Sequence, residues 1–233
     1  MKTNVSITTL VDVVAGLDPR PRERQWVSLT FCVLDAVYSI GANYIYHVVP
    51  VVERVAATFG VDVPATAPAA AALTADPVPL GALLGRYPDS DALVAVTKNR
   101  QNTSTRGGIR KADAVLRYAR ILDRHGVNTL ADARAALSND QKFEQINHAL
   151  RRVPGEGAAG VRRGYLWMLI GDQWTVKPDR IVLRWLSRAG FPVDEKGARR
   201  LLREVAESLT DRLGRDISPW EVDHAIWRAG RPT

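Results

Sequence analysis

The sequence predicts an all-α protein. Apolar residues recur at three- and four-residue spacing over most of the chain, no long alternating run suggests a strand, and Gly or Pro breaks the periodic segments. The 233 residues, 46% hydrophobic and 24% charged, are enough for one large domain or two small lobes around a buried core. Cys32 is the single cysteine, so neither an internal disulfide nor a four-thiolate zinc or iron–sulfur site can form, and a reducing, cytoplasmic setting is expected. The opening MKTNVSITTLVDVVAG lacks the long apolar core of a signal peptide, and no stretch approaches the ~20 apolar residues that span a bilayer. No membrane partner is expected.

Each element has its own local signal. In residues 22–40, Trp26, Leu29, Val33, Leu34 and Val37 form one buried stripe, which Gly41 ends. A second helix follows over 43–59, with a kink expected at Pro50. Residues 61–79, VDVPATAPAAAALTADPVP, are rich in Ala and Pro and predict a surface linker between lobes. Helices resume over 89–96 and 109–124, with the polar loop NRQNTSTRGG between them. The next, over 140–153, is capped by Asn139 or Asp140 and leads through Pro-Gly-Glu-Gly into a helix over 158–170. The last helices are predicted over 178–189, 195–213 and 219–229, the final one with Ser218 as N-cap and Pro219 in its first turn. No internal repeat is present.

The net charge of +7 is not spread evenly. Residues 98–124 carry +6 and residues 151–188 carry +5, leaving −4 for the rest of the chain. Basic excess confined to two segments suits a phosphate-binding face, where Lys and Arg displace counterions from a polyanion. Two solvated helix faces would give the same count. The four histidines, His47, His125, His148 and His224, have no ligand spacing, so no metal site is predicted. Ser39 has no His/Asp partner that would make it a nucleophile.

The most informative segment is Val153-Pro154-Gly155-Glu156-Gly157 between two helices. Two glycines permit a tight turn and leave backbone amides bare at a helix start, where they can bind phosphate. Asp179 follows in Trp174-Thr175-Val176-Lys177-Pro178-Asp179-Arg180-Ile181-Val182-Leu183-Arg184. This hairpin, with an aspartate about twenty residues on, resembles the helix-hairpin-helix DNA glycosylase superfamily, whose alkyladenine branch also carries Pro-Asp there. Residues 34–43 resemble the family's second helix and DNA-facing loop, and Gly108-Ile109-Arg110-Lys111-Ala112 resembles the loop and helix start upstream of the hairpin. The likeness covers residues 22–230.

The resemblance implies a two-lobed helical bundle, a single glycosylase-like domain over residues 1–233 with a DNA- and base-binding cleft between its lobes. One lobe would comprise residues 80–175 with the hairpin, the other residues 1–60 and 176–233, with 61–79 as linker. It implies double-stranded DNA as partner, a monomer, and excision of an alkylated base in repair or of a modified base in phage DNA as defence, leaving an abasic site. Asp179 would be the catalytic carboxylate, stabilising an oxocarbenium-like sugar and positioning or deprotonating water. Bifunctional relatives carry a lysine at the position of Ala159; without that amine no Schiff base forms, and a hydrolytic enzyme without lyase activity is implied. No cofactor is required, although a monovalent cation at the hairpin carbonyls would be structural.

A flipped base needs stacking walls and polar edges, for which Tyr38, Asn43, Tyr44, Tyr46, Trp167 and Trp174 are candidates. Asp35 joins them, because an acid in the apolar run FCVLDAVYS must face a pocket, a partner or solvent. Candidate DNA-binding residues are Arg106, Gly108, Ile109, Arg110 and Lys111 around the loop, Gly155, Gly157, Arg162 and Arg163 at the hairpin, and Lys177 and Arg180 beside Asp179. Ile109 or a neighbour would fill the gap left by the flipped nucleotide. Two other readings stand beside the enzyme: a non-catalytic helix-hairpin-helix DNA-binding protein, and an all-helical protein-interaction module.

Overall fold

A computed structural model describes residues 6–67, 75–155, 160–172, 174, 176 and 178–231, and it is mostly helical, as the periodicity predicts. In chain order the described elements are α1 (Ile7–Gly16), β1 (Gln25–Trp26), α2 (Leu29–Tyr38), a π-helical turn (Tyr44–Val48), α3 (Val49–Thr58) and β2 (Ala65–Thr66). Then come α4 (Leu80–Arg86), α5 (Ser90–Thr97), α6 (Lys111–Arg124), α7 (Leu130–Leu137), α8 (Asp140–Leu150) and α9 (Val161–Ile170). The chain closes with α10 (Arg180–Arg188), α11 (Glu195–Leu213) and α12 (Pro219–Gly230).

Two compact units divide the chain, Arg24–Gly171 in one and Met1–Glu23 with Asp172–Thr233 in the other. This differs from the expected partition, in which residues 1–60 lay opposite the hairpin. The reason is α2. All ten of its residues are buried, and a helix that is dry on every side needs neighbours on every side. It packs on α9, α6 and α3, which fixes residues 24–60 in the hairpin-bearing unit.

The stripe read as one helix over 22–40 is two elements. Ser28 is extended and its hydroxyl accepts from Thr30 N–H, so α2 starts at Leu29. Trp26 belongs instead to a ribbon in which Gln25 pairs with Thr66 and Trp26 with Ala65, antiparallel. Two-residue strands are too short to show an alternating pattern, so periodicity does not reveal them. Pro50 does not kink a long helix. It sits in the first turn of α3, just after the π-helical turn, where its missing N–H leaves no bond unmade.

The Ala/Pro-rich segment also has another role than the one expected. Its residues 68–74 lie outside the described set, but both flanks are built into a single unit rather than running between two. Ala65–Thr66 is the second ribbon strand, and Asp76 caps two helices at once: its Oδ2 accepts from Leu29 N–H at 2.9 Å and from Leu130 N–H at 2.8 Å. Val78 then offers its carbonyl to the Ser28 and Thr30 hydroxyls at 2.8 and 2.6 Å. The helices α1, α4 and α7 were not foreseen. They are short, seven to ten residues, and amphipathic over too few turns to stand out, although Thr129 and Asp132 form a capping box at the start of α7. In the second unit Leu10 and Val14 of α1 join Val182, Leu186, Leu202, Val205, Val222 and Ile226 in a separate apolar core.

Because one carboxylate satisfies the first turns of α2 and α7, Asp76→Ala should destabilise the Arg24–Gly171 unit by about 2–3 kcal/mol, roughly twice a single cap. Denaturant unfolding measures this, and a loss below about 0.5 kcal/mol would show that the double cap does not hold the two helix starts.

Candidate functional site

The hairpin begins where α8 runs out: Arg152 and Val153 donate their N–H groups to Ala149 and Leu150, Pro154 follows, and Gly155 turns the chain with φ +79°. Gly157 lies outside the described residues, as does Lys177. A second surface segment is folded against this turn. Thr103 N–H donates to Ile109 C=O at 2.8 Å and Lys111 N–H to Gln101 C=O at 2.8 Å, so residues 101–111 close into a β-like loop bridged at Asn102 and Arg110. Thr103 joins the two segments. Its hydroxyl donates to Pro154 C=O at 3.2 Å and accepts from Ile109 N–H at 3.2 Å. A Cβ on Gly155 would lie 2.0 Å from Thr103 Oγ1, so glycine is required there both by φ and by space.

Two of the predicted DNA-binding cations are built into the interior instead. Arg162 is fully buried: its Nε donates to Tyr118 OH at 2.8 Å, one terminal nitrogen to Val153 C=O at 2.8 Å, and both terminal nitrogens to Pro154 C=O at 3.2 and 3.3 Å. Its guanidinium thereby holds the hairpin from inside. Lys111 is buried too and donates to the carbonyls of Tyr38 and Ile40, both at 2.9 Å, and to Gln101 Oε1 at 3.0 Å. Burial lowers its ammonium to about 8. A buried cation must find acceptors, and carbonyls at helix ends were nearer than any phosphate. Arg163 is half-buried and donates to Asn147 C=O at 3.2 Å.

The surface cations are others. Arg106 is exposed at the loop tip, Arg110 is exposed and ion-paired with Asp91, and Arg180 is exposed in the other unit. Arg100 and Arg110 also line a surface cleft of about 350 Å³ with Asp91, Val94 and Ala95. Gly108 and Ile109 are half-buried, and Ile109 packs against the core rather than pointing out.

The candidate base-pocket residues separate in the same way. Tyr38 is fully buried, its hydroxyl 3.4 Å from Thr97 Oγ1 and pushed up to about 12 by burial, and Trp167 is buried against Phe143. Both are core residues, not pocket walls. Asn43 caps the π-helical turn, its Oδ1 accepting from Tyr46 N–H at 3.3 Å, while Ile45 and Tyr46 stand 59% and 75% exposed. Trp174, in the second unit, is 66% exposed.

Asp35 is fully buried and collects donors. Trp26 Nε1 reaches its Oδ2 at 2.7 Å, Tyr44 OH the same oxygen at 2.9 Å, and Tyr165 adds a further hydrogen bond. Ser39 Oγ lies 2.5 Å from Asp35 Oδ1 and 2.6 Å from Asp35 C=O. One hydroxyl hydrogen serves one of these two contacts, so both are fully made when Asp35 itself carries a proton. Burial acts in the same direction, holding its carboxyl above the usual range. The half-buried Tyr44 is therefore anchored from below, beside the exposed Ile45 and Tyr46. Lys111 ties the root of that turn to Gln101, and Thr103 ties the loop to the hairpin, so three surface segments form one connected assembly within the unit.

In the second unit Asp179 is exposed and caps α10, its Oδ1 accepting from Ile181 N–H at 2.7 Å and Val182 N–H at 3.0 Å. Sequence reasoning missed Asp223 on α12, which is buried with no partner for its Oδ1 among the described residues. Burial first, and then the Asp179 charge, push its carboxyl up to about 7. No local signal marked it, since Asp223 stands between Glu221 and His224 in a helix of mixed polarity.

The chain belongs to a family described as a domain of unknown function, DUF8548, whose model matches residues 7–231. No curated protein and no solved structure matches it.

Gly155→Ala should detach the hairpin from the loop and destabilise the Arg24–Gly171 unit by about 2 kcal/mol, whereas Thr103→Ser, which keeps the hydroxyl, should cost less than about 1 kcal/mol. Denaturant unfolding checks both. An alanine variant as stable as the wild type would show that the hairpin does not need glycine at this position.

Proposed function

We propose that this protein is a monofunctional DNA glycosylase. It binds duplex DNA, turns one nucleotide out of the stack and hydrolyses its glycosidic bond, leaving an abasic site. The observation that carries the reading is the glycine hairpin locked by Thr103 and Arg162 against the Arg106–Arg110 loop, which joins two segments of the basic excess into one surface. Backbone amides in such turns bind phosphate, and the exposed Arg106 and Arg110 add the counterion-displacing charge. Lys111 and Arg162 contribute indirectly, by holding the segments in place.

The chemistry falls to Asp179. As the bond to the base breaks, its electron pair leaves with the base and positive charge develops on the sugar. An exposed carboxylate, held at the start of α10 by its two cap hydrogen bonds, stabilises that charge and takes a proton from the attacking water. The lysine of a lyase step is absent, since Ala159 stands at its position. Tyr44, anchored on Asp35, and the exposed Tyr46 are the aromatic groups to which this reading gives the stacking of a displaced base. The substrate is a damaged base, as in alkylated DNA, or a modified base in foreign DNA.

Mass spectrometry of bases released from alkylated DNA and from phage DNA with modified cytosines, beside unmodified DNA, tests the reading. Wild type should release one base class, and Asp179→Asn should lower release at least about 10³-fold while keeping DNA affinity within about threefold. Tight, salt-dependent binding with no release from any of these DNAs would favour a helix-hairpin-helix binding module instead.

A further inference from the structure

In α10, Val182 and Leu186 are buried in the core of the second unit, and the exposed residues are Arg180, Arg184, Ser187 and Arg188. At about 100° per residue these four share one arc of about 100°, opposite the buried pair. No acid stands within the helix, and none of the three arginines has an ion pair or hydrogen bond among the described residues. Other arginines of the same unit face acids: Arg199 pairs with Glu195, Arg200 with Glu204, Arg212 with Asp12 and Arg215 with Glu221. Like charges four residues apart on a helix repel, so the row weakens the element that carries it unless something anionic lies against it. A fourth cation stands beside it. Gly230 packs so closely on α10 that an added Cβ would lie 2.7 Å from Ile181 Cγ2 and 3.6 Å from Trp185 Cβ, at the edge of the arginine arc. Arg231 follows, exposed, with its guanidinium 4.7 Å over the Trp227 ring.

We propose that this face grips the phosphates of one strand of duplex DNA, the strand that passes Asp179 at the start of the same helix. The choice of partner rests on the DNA reading above. From Arg180 to Arg188 the helix rises about 12 Å, over which one strand presents about three or four phosphates. Guanidinium groups pair with phosphate through two parallel hydrogen bonds, and the Ser187 hydroxyl is a second kind of phosphate donor on the same arc. Other polyanionic partners need something this face lacks. A helix lying on a membrane buries an apolar face in lipid, and the apolar face of α10 is already in the core. A protein interface centres on apolar or aromatic side chains, and none of the exposed residues of α10 is apolar. The basic excess of residues 151–188 thus has two uses, with Arg162 facing inward and Arg180, Arg184 and Arg188 facing out.

Titration of a labelled duplex with the full chain over a series of salt concentrations tests this. Each phosphate contact contributes about 0.9 to the slope of log affinity against log salt. Arg184→Ala should therefore lower the slope by about 1, and the triple variant Arg180→Ala/Arg184→Ala/Arg188→Ala by about 2 to 3, with at least about a tenfold loss of affinity. Arg184→Lys keeps the charge and should keep the slope. Arg203→Ala removes an exposed cation of α11 and should leave the slope unchanged. Because the triple variant loses only exposed groups that repel one another, it should melt at or above the wild-type temperature, which separates lost contacts from misfolding. An unchanged slope in the triple variant overturns the proposal. So does a fall with Arg203→Ala as large as with Arg184→Ala, which would reduce the effect to net charge. Phosphatidylserine vesicles bound by wild type and not by the triple variant, with the DNA slope unchanged, would give the face to a membrane instead. The slopes are read without catalysis, so the two readings fail separately. The expected slopes with no base released from any DNA would remove the chemistry given to Asp179 and keep the strand contact, whereas base release with an unchanged slope would do the reverse.

Discussion

A helix buried on every side must have its end groups satisfied by residues from elsewhere in the chain, and α2 is such a helix. Its N-terminal amide at Leu29 is taken by Asp76, from the far side of the Ala/Pro-rich segment. Its C-terminal carbonyls at Tyr38 and Ile40 are taken by Lys111, from the start of α6. Between those ends ten buried residues leave no face for solvent. The ribbon, the double cap and the buried lysine all follow from keeping this element dry without leaving its backbone unpaired. The candidate DNA surface is built outward from it, because the π-helical turn grows from its end and Lys111 ties that end to the loop that Thr103 joins to the hairpin.

The charge count concealed a division of labour. Residues 98–124 and 151–188 hold the basic excess, yet Lys111 and Arg162 face inward and brace the two segments, while Arg106 and Arg110 remain at the surface. In the proposed DNA complex these internal props would act on phosphate only by fixing the shape of the turn. This separates two effects of substitution at a basic site. Loss of a surface arginine would weaken the electrostatic part of the proposed binding and its salt dependence, whereas loss of Lys111 or Arg162 strands several buried carbonyls and disturbs the fold.

How much was legible follows from the range of each signal. Helices with several turns of apolar spacing, such as residues 195–213, and caps such as Asn139 and Ser218 were readable because their physics is local. The two-residue ribbon, the short α1 and α4, and the assignment of residues 24–60 to the hairpin unit depend on contacts between distant parts of the chain. At the site, Gly155 and Asp179 carried recognisable motifs. Thr103 and Asp223 did not, since a lone threonine in a polar loop and a lone aspartate in a helix gain meaning only from what folds against them. Tyr38 and Trp167 were misplaced for the converse reason: an aromatic side chain serves a core and a pocket wall equally well, and only burial distinguishes them.

The central claim is that Asp179 faces a sugar that becomes positively charged. It is tested most directly by binding, without knowledge of the target base, using duplexes that carry a cationic pyrrolidine in place of the abasic sugar or its neutral tetrahydrofuran counterpart. Enzymes bind mimics of their transition states more tightly than neutral analogues. Wild type should prefer the cationic duplex by about tenfold or more, and Asp179→Asn should bind the two alike. Equal affinity of the wild-type protein for both duplexes would contradict the account.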